Sequence, residues 1–256
     1  SYLLDSLSKK YATAPLLEIL LTVLEPTAKY YQYPSPCFQP LFLYSRVIRI
    51  KYKIIKSILL IEKHIINLLT PDGAAYYYGK IFTFDEANEY FHSLLQNIPW
   101  KNDEVILFGK HIVTKRKTAW YGDSDYVYIY SNTEKKALPW TVELTKLKQV
   151  VENLSNTKFN SCLLNLYHDG NEGMGWHSDD EKSIEGNSAI ASVSFGAERR
   201  FSFKHKLTKE TISVLLENGS LLLMEDATQK NWLHGLPKST KITQPRINLT
   251  FRTMVR

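Results

Sequence analysis

Three side chains in the second half of the chain have the types and spacing to share one metal ion. In Trp176-His177-Ser178-Asp179 an imidazole and a carboxylate stand at i and i+2, and in an extended strand such a pair projects from one face. His234, in Trp232-Leu233-His234-Gly235, offers a third donor later in the chain. Two imidazoles and one carboxylate form the facial triad of non-haem iron(II), which leaves three positions open for reactants. A His-x-Asp pair also arises often by chance, so a second feature is needed. Arg246 and Arg252 supply it, in Arg246-Ile247-Asn248-Leu249-Thr250-Phe251-Arg252. Strand alternation puts both guanidinium groups and Asn248 on one face, and inward arginines are costly unless they meet anions. A cosubstrate with two carboxylates answers both features. Its keto-acid end chelates iron, and its far carboxylate takes a guanidinium fork. Surface ion pairing is the plain alternative for these arginines.

The remaining histidines carry less. His64 and His92 lie on helical patterns, and His111 and His168 lie in or near turns. His205, between Lys204 and Lys206, reads as a substrate-facing basic group.

These groups must be held by surrounding elements. Thr83-Phe84-Asp85-Glu86 has capping-box spacing and predicts a helix with Ala87, Tyr90, Phe91, Leu94, Leu95 and Ile98 on one face, closed by Pro99. Thr141 is placed to cap a second helix carrying Leu144, Leu147, Val151 and Leu154. Short strands follow at Ser161–Tyr167, Ala189–Phe195, Arg200–Lys206, Thr211–Leu216, Ser220–Met224, Asn231–Leu236 and Arg246–Met254, separated by turn-rich stretches such as Asp169-Gly170-Asn171. Many short strands after two helices predict an α+β, mainly β fold: a double-stranded β-helix, or jelly roll, with helices packed on one face.

A chain of 256 residues with 44% apolar and 23% charged residues can bury a core without a disulfide or structural metal. Two cysteines, Cys37 and Cys162, have no metal-binding spacing. A reduced intracellular protein is expected, cytoplasmic in a bacterium and nuclear in a eukaryote. The apolar run Ile19–Leu24 is too short to span a bilayer and is flanked by Glu18 and Glu25, unlike a secretory signal, so no membrane association is expected. A monomer is expected. Of the net charge of +6, residues 1–65 carry a surplus of five, with nine Lys/Arg against four Asp/Glu. Such a balance fits a polyanionic partner. All eleven glycines lie at Gly73 or later, which divides the chain into a basic extension over residues 1–68 and a catalytic domain over 69–256. The segment Val47–Ile54 alternates apolar and basic residues and reads as a strand entering a helix, or as one basic amphipathic helix. A packing extension and a nucleic-acid or membrane arm both fit it.

Several separate motifs then stand in one order: Asn165-Leu166-Tyr167, His177-Ser178-Asp179-Asp180-Glu181, Ala191-Ser192-Val193-Ser194-Phe195-Gly196-Ala197, and Arg246 to Arg252. From about residue 70 onward the chain resembles the AlkB family of nucleic-acid demethylases, most of all the branch with bacterial relatives and two animal DNA-repair homologues. The resemblance implies an Fe(II)- and 2-oxoglutarate-dependent dioxygenase that uses O2 to demethylate 1-methyladenine- and 3-methylcytosine-type bases in DNA. The same chemistry on RNA, and a non-catalytic binder of alkylated or single-stranded nucleic acid, are the alternatives. It implies iron ligation by His177, Asp179 and His234. It also implies 2-oxoglutarate contacts from Asn165, Tyr167, Arg246, Asn248 and Arg252, with Thr250 beside them. Tyr128 and Tyr130 match an aromatic wall of a base pocket, and Asp180 and Glu181 its acidic edge. Phe108 matches a hairpin tip that wedges into the gap left by a flipped base, with Lys110, Lys115, Arg116 and Lys117 on phosphates. Simple packing remains the alternative for Phe108 and both tyrosines. Asp226 occupies a loop place where the family usually has glycine, and residues 1–68 match nothing in the family.

Overall fold

The computed structural model describes residues 65–107, 110–123, 127–130, 133–225 and 227–255. The readings made for residues 1–64, for Phe108 and for Asp226 lie outside the described residues, as do the side chains of Lys110, Tyr128 and Tyr130.

Two antiparallel sheets make the expected jelly roll. The major sheet has seven strands in the order β1 (Ala74–Lys80), β11 (Ser220–Glu225), β8 (Ile190–Gly196), β13 (Arg246–Arg252), β6 (Ser161–Tyr167), β3 (Lys110–Gly122) and β2 (Lys101–Leu107). The minor sheet has four, in the order β10 (Thr211–Leu216), β9 (Arg199–His205), β12 (Trp232–Leu236) and β7 (Met174–His177). A two-stranded ribbon of β4 (Val127–Tyr130) and β5 (Thr133–Lys136) stands apart. Helices α1 (Phe84–Asn97) and α2 (Val142–Ser155) cover the outer face of the major sheet, and a single-turn helix α3 (Thr228–Asn231) leads into β12.

Both long helices start where their caps predict. The Glu86 amide donates to Thr83 Oγ1 at 3.3 Å while Glu86 Oε2 accepts from the Thr83 amide at 2.9 Å, a closed capping box. In α2 the Leu144 amide donates to Thr141 Oγ1 at 3.1 Å. Ala87, Phe91 and Leu94 from α1, with Leu144, Leu147 and Val151 from α2, meet Leu164, Leu166, Val193, Phe195, Ile247, Leu249 and Phe251 in the main core. Leu154, expected on the buried face of α2, is 37% exposed at the helix end. The chain passes close to α1 at Gly196: with φ +83° there, a Cβ would stand 2.5 Å from the Pro245 carbonyl oxygen and 2.7 Å from the Phe91 ring, so only glycine fits.

The strand β13 organises the site because both of its faces are buried. Ile247, Leu249 and Phe251 point to the helices. Arg246, Asn248, Thr250 and Arg252, the alternate set, point into the space between the sheets. The same alternation runs through its neighbours, which pair Asn248 with Asn165 and Ser194, and Arg246 with Tyr167 and Gly196. A second core, of Leu69, Ala75, Ile190, Phe203, Leu216, Leu222, Met224 and Trp232, closes one end of that space. Among the described residues no helix is long and apolar enough to cross a membrane.

Phe251 stacks on Trp140 at 6.4 Å and meets Phe159 at 6.1 Å between ring centroids. Phe251→Ala should therefore cost about 3–5 kcal/mol through the cavity it leaves, measured as a lower urea midpoint at unchanged m-value. A loss below about 1 kcal/mol would mean that the helices do not depend on this strand.

Candidate metal and cosubstrate site

His177 ends β7 and pairs directly with His234 on β12, with ring centroids 4.3 Å apart. Both are therefore set by the register of two neighbouring strands. Asp179 differs from the strand reading: it lies beyond the end of β7, in a loop, so strand alternation does not aim it. Two contacts do. Its amide donates to Gln229 Oε1 from α3 at 2.9 Å, and its Oδ2 accepts from Arg252 Nη2 at 2.7 Å. Oδ1 is left facing His177 Nε2 at 3.9 Å. One donor atom from each of His177, Asp179 and His234 falls within 4.8 Å of the others.

The protonation states suit a cation. His177 Nδ1 lies 2.9 Å from the Gly175 carbonyl oxygen; a proton there leaves Nε2 with a free lone pair. Burial, reinforced by His177, Arg252 and Lys206, pushes the His234 pKa down to about 3 against the pull of Asp179, so the ring is neutral at pH 7. Burial works to raise the Asp179 pKa, but Arg252, His234 and His177 together hold the carboxyl below its ordinary value. Two imidazoles, of which the buried His234 ring is neutral, and a carboxylate, partly exposed on the His177 side, are the donor set for iron(II) with open positions.

Arg246 presents the complementary problem. It is 2% exposed and donates from Nη2 to Ser194 Oγ at 2.9 Å, while its Nε has no partner. Burial lowers its pKa to about 10, so it remains a cation. No carboxylate among the described residues pairs with it. Asn248 is held by Ser192 Oγ at 2.8 Å and by the Val193 carbonyl at 3.1 Å, and Thr250 Oγ1 donates to Asn248 Oδ1 at 3.1 Å. The Asn165 carbonyl oxygen, buried beside them, has no partner. A buried guanidinium on the same strand face as Arg252, which holds Asp179, calls for an anion in the space between the sheets.

The model of the 2OG-Fe(II) oxygenase superfamily matches residues 74–252. The chain is 39% identical over 178 residues to alpha-ketoglutarate-dependent dioxygenase alkB homolog 3 of Bos taurus, which covers 66% of this chain and 62% of that relative's length. It is 36% identical over 198 residues to DNA oxidative demethylase ALKBH2 of Mus musculus, covering 73% of this chain and 83% of the relative. The chain belongs to the AlkB family. The solved structure of OsALKBH1 shares its fold, with a TM-score of 0.50 at 15% identity over 72% of this chain and 99% of that one. As a 2OG-Fe(II) oxygenase this AlkB-family chain uses Fe(II), 2-oxoglutarate and O2.

A cavity of about 260 Å³ is lined by His177, Asp179, Arg252 and Asn165. Asp103, Arg116, Trp120, Met174 and Glu181 line it as well. The acidic pair therefore separates. Glu181 lines the cavity, whereas Asp180 is exposed, accepting from Ser178 Oγ at 3.1 Å and lying 3.9 Å from Lys206 Nζ. Arg116 differs from its reading as a phosphate contact. It is 8% exposed, ion-paired with Asp103, and its Nη1 lies 3.2 Å from Met174 Sδ. Alternation along β3 turns Arg116 inward and leaves Lys115 exposed to solvent. His205 also differs: it is buried, and its Nδ1 accepts from the Leu207 and Thr208 amides at 3.2 and 3.0 Å, which caps its own turn.

Sequence reasoning missed Asp103, Arg199, Gln229 and the hydroxyl pair Ser192 and Ser194. The serines carried a signal, two polar residues at period two in an apolar strand, and Arg199 and Gln229 carried none. Arg199, 1% exposed, donates to the carbonyls of Glu172 at 2.8 Å, Pro237 at 3.0 Å and Asp169 at 3.3 Å. It ties the loop before β7 to the loop after β12, the two strands that carry the histidines.

A folded pKa near 3 against an ordinary 6.5 for His234 means that the unfolded chain binds the extra proton between those values. Stability of the metal-free protein should therefore fall as pH drops below about 6.5. Urea unfolding at pH 7, 6 and 5 should show this slope in the wild type and a flatter one in His234→Asn. Equal slopes would mean that the folded imidazole is charged.

Arg246→Met should raise the KM for 2-oxoglutarate at least tenfold, since a buried charge-assisted pair is worth about 2–5 kcal/mol. In the absence of cosubstrate the same variant should be no less stable, because it removes an uncompensated buried charge. An unchanged KM would detach Arg246 from the cosubstrate.

Proposed function

We propose that this enzyme oxidatively demethylates alkylated bases of the 1-methyladenine and 3-methylcytosine type in DNA, a direct-reversal repair, acting inside the cell as a monomer. The catalytic domain is assigned to residues 69–256 and the basic extension to residues 1–68. The observation that carries the reading is the cavity itself, which is lined by two of the three metal-ligand candidates, His177 and Asp179, and by Glu181. A flat cationic ring that enters it brings its methyl group to the metal side and its positive charge to Glu181. Relatives named DNA oxidative demethylase, at 36% identity, support the same substrate class.

Each group has a task in that reaction. His177, Asp179 and His234 would hold Fe(II), with Arg252 and Gln229 fixing the Asp179 carboxylate. Arg246 would take the far carboxylate of 2-oxoglutarate, with Asn165, Tyr167, Asn248 and Thr250 lining its bed. Bound together with O2, iron and 2-oxoglutarate supply the oxidation that hydroxylates the N-methyl carbon, giving succinate, CO2 and, from the hydroxymethyl base, formaldehyde. The chain's own contribution is to hold the methyl carbon near the metal and keep bulk water out. A base in a duplex must first leave the stack. We assign Phe108 as the side chain that fills the gap, Tyr128 and Tyr130 as the aromatic wall, and Lys115 as a phosphate contact.

The test is succinate and formaldehyde release with 1-methyladenine in single-stranded DNA, duplex DNA and RNA, run on the wild type and Phe108→Ala. Release on DNA above RNA is expected. The variant should lose about tenfold or more on the duplex, given the worth of one aromatic–base stack, and far less on the single strand. Preference for RNA would move the substrate to the other polymer. Formaldehyde from none of the three would remove the nucleobase reading, and equal losses on both DNA forms would leave Phe108 as loop packing.

A further inference from the structure

The outer face of the minor sheet carries an aromatic residue that the reaction above does not use. Trp176 precedes the metal ligand His177 on β7. Its ring lies on the side of Lys204, which pairs with Leu233, the neighbour of His234 on the opposite face of β12. The ring is thus turned away from the metal ligands. It is 47% exposed, on an edge strand of only four residues. Large rings are usually buried, and one left open beside a catalytic strand stands out. Lys204, from β9 on the same face, holds its Nζ 5.6 Å from the ring centroid.

Beside the ring runs a groove of about 290 Å³ between the segments 173–176 and 235–238. Gly173, Gly175 and Gly235 place no side chains in it, so its floor is peptide backbone. Lys238 is exposed at one end. Met174 lines this groove and the catalytic cavity alike, which makes the two spaces neighbours across one flexible side chain. The nearby acid, Asp180, already faces Lys206 at 3.9 Å. Lys206 is spent there and on Ser178 Oγ and the Gln229 carbonyl. Lys204 and Lys238 therefore give the groove a positive rim.

We propose that Trp176 and this groove form a subsite for the nucleotide next to the methylated one in the same strand, its base stacked on the indole and its phosphate met by Lys204 or Lys238. A flat π-face with an adjoining cation, contiguous with a base-sized cavity, matches a nucleobase and its phosphate in chemistry. Stacking is indifferent to base identity, so the subsite would hold any neighbour. The inference rests on the demethylase reading.

The test uses the Fe(II)- and 2-oxoglutarate-loaded enzyme without O2, so that binding is read without turnover. Fluorescence anisotropy would give the Kd of labelled trinucleotides with a central 1-methyladenine, either intact or lacking the base on the 5′ or the 3′ side. Trp176→Ala should weaken the intact trimer about tenfold. On one of the two base-less trimers it should weaken binding by less than twofold, because the stacking partner is already gone. Trp176→Phe should recover most of the loss. Equal losses on all three trimers would overturn the subsite and make Trp176 a support for β7. Aerobic succinate release on the intact trimer separates the two levels. Turnover with no coupling to a flanking base removes the subsite alone, and no turnover on any methylated substrate removes it together with the demethylase reading.

Discussion

Removing a guanidinium from water costs several kcal/mol even after the protein relaxes around it, and this fold places two along one strand, Arg246 buried and Arg252 half-buried, in a layer between two sheets. An anion opposite is the natural compensation where backbone carbonyls do not supply it, as they do at Arg199. Arg252 has Asp179 at 2.7 Å, and the pair does more than neutralise charge. It joins the major sheet to the loop after β7 of the minor sheet, and so fixes the one metal ligand that no regular element holds. Arg246 has Ser194 and, among the described residues, no carboxylate. The strand thus carries one charge paired within the chain and one buried charge that favours an anionic ligand.

That burial depends on the opposite face of β13. Ile247, Leu249 and Phe251 lock the strand against α1 and α2, so it cannot move outward to hydrate its arginines. On the other wall, His177 and His234 are cross-strand partners, and their separation is set by sheet register. Arg199 adds a constraint at the far ends of those strands by bridging three carbonyls in the flanking loops. The metal site is therefore assembled from two rigid strands and one tethered loop.

Much of this was legible in the sequence because period-two alternation carries the information. Arg246, Asn248 and Arg252 share a face by counting. The capping box at Thr83, the cap at Thr141 and the short-strand pattern place both long helices and seven of the thirteen described strands, all from β6 onward, within a residue or two. What counting could not reach was tertiary. Period-two counting places Asp179 on the strand because the strand's end is invisible to it, and the real support of Asp179 comes from Arg252 and Gln229, far away in the chain. Arg116 sits in a basic run, Lys115-Arg116-Lys117, where composition suggests a solvated surface. Only knowledge of which face of β3 turns inward, and that Asp103 waits there, separates it from its neighbours. His205 looked cationic and exposed between two lysines, yet its ring closes a turn.

The pairing of Arg116 with Asp103 also bears on what the cavity can accept. A lone guanidinium on the wall of a small, partly enclosed space would oppose any cationic ring, because the low dielectric that strengthens attraction strengthens repulsion equally. Held against a carboxylate, Arg116 contributes little net charge while keeping its donor geometry. Asp179 is likewise offset by Arg252 and would be further offset by a bound metal. Glu181 is a third carboxylate on the cavity wall. The field inside the cavity is thus shaped by which internal pairs cancel, and Asp103, by pairing with Arg116, takes part in that balance.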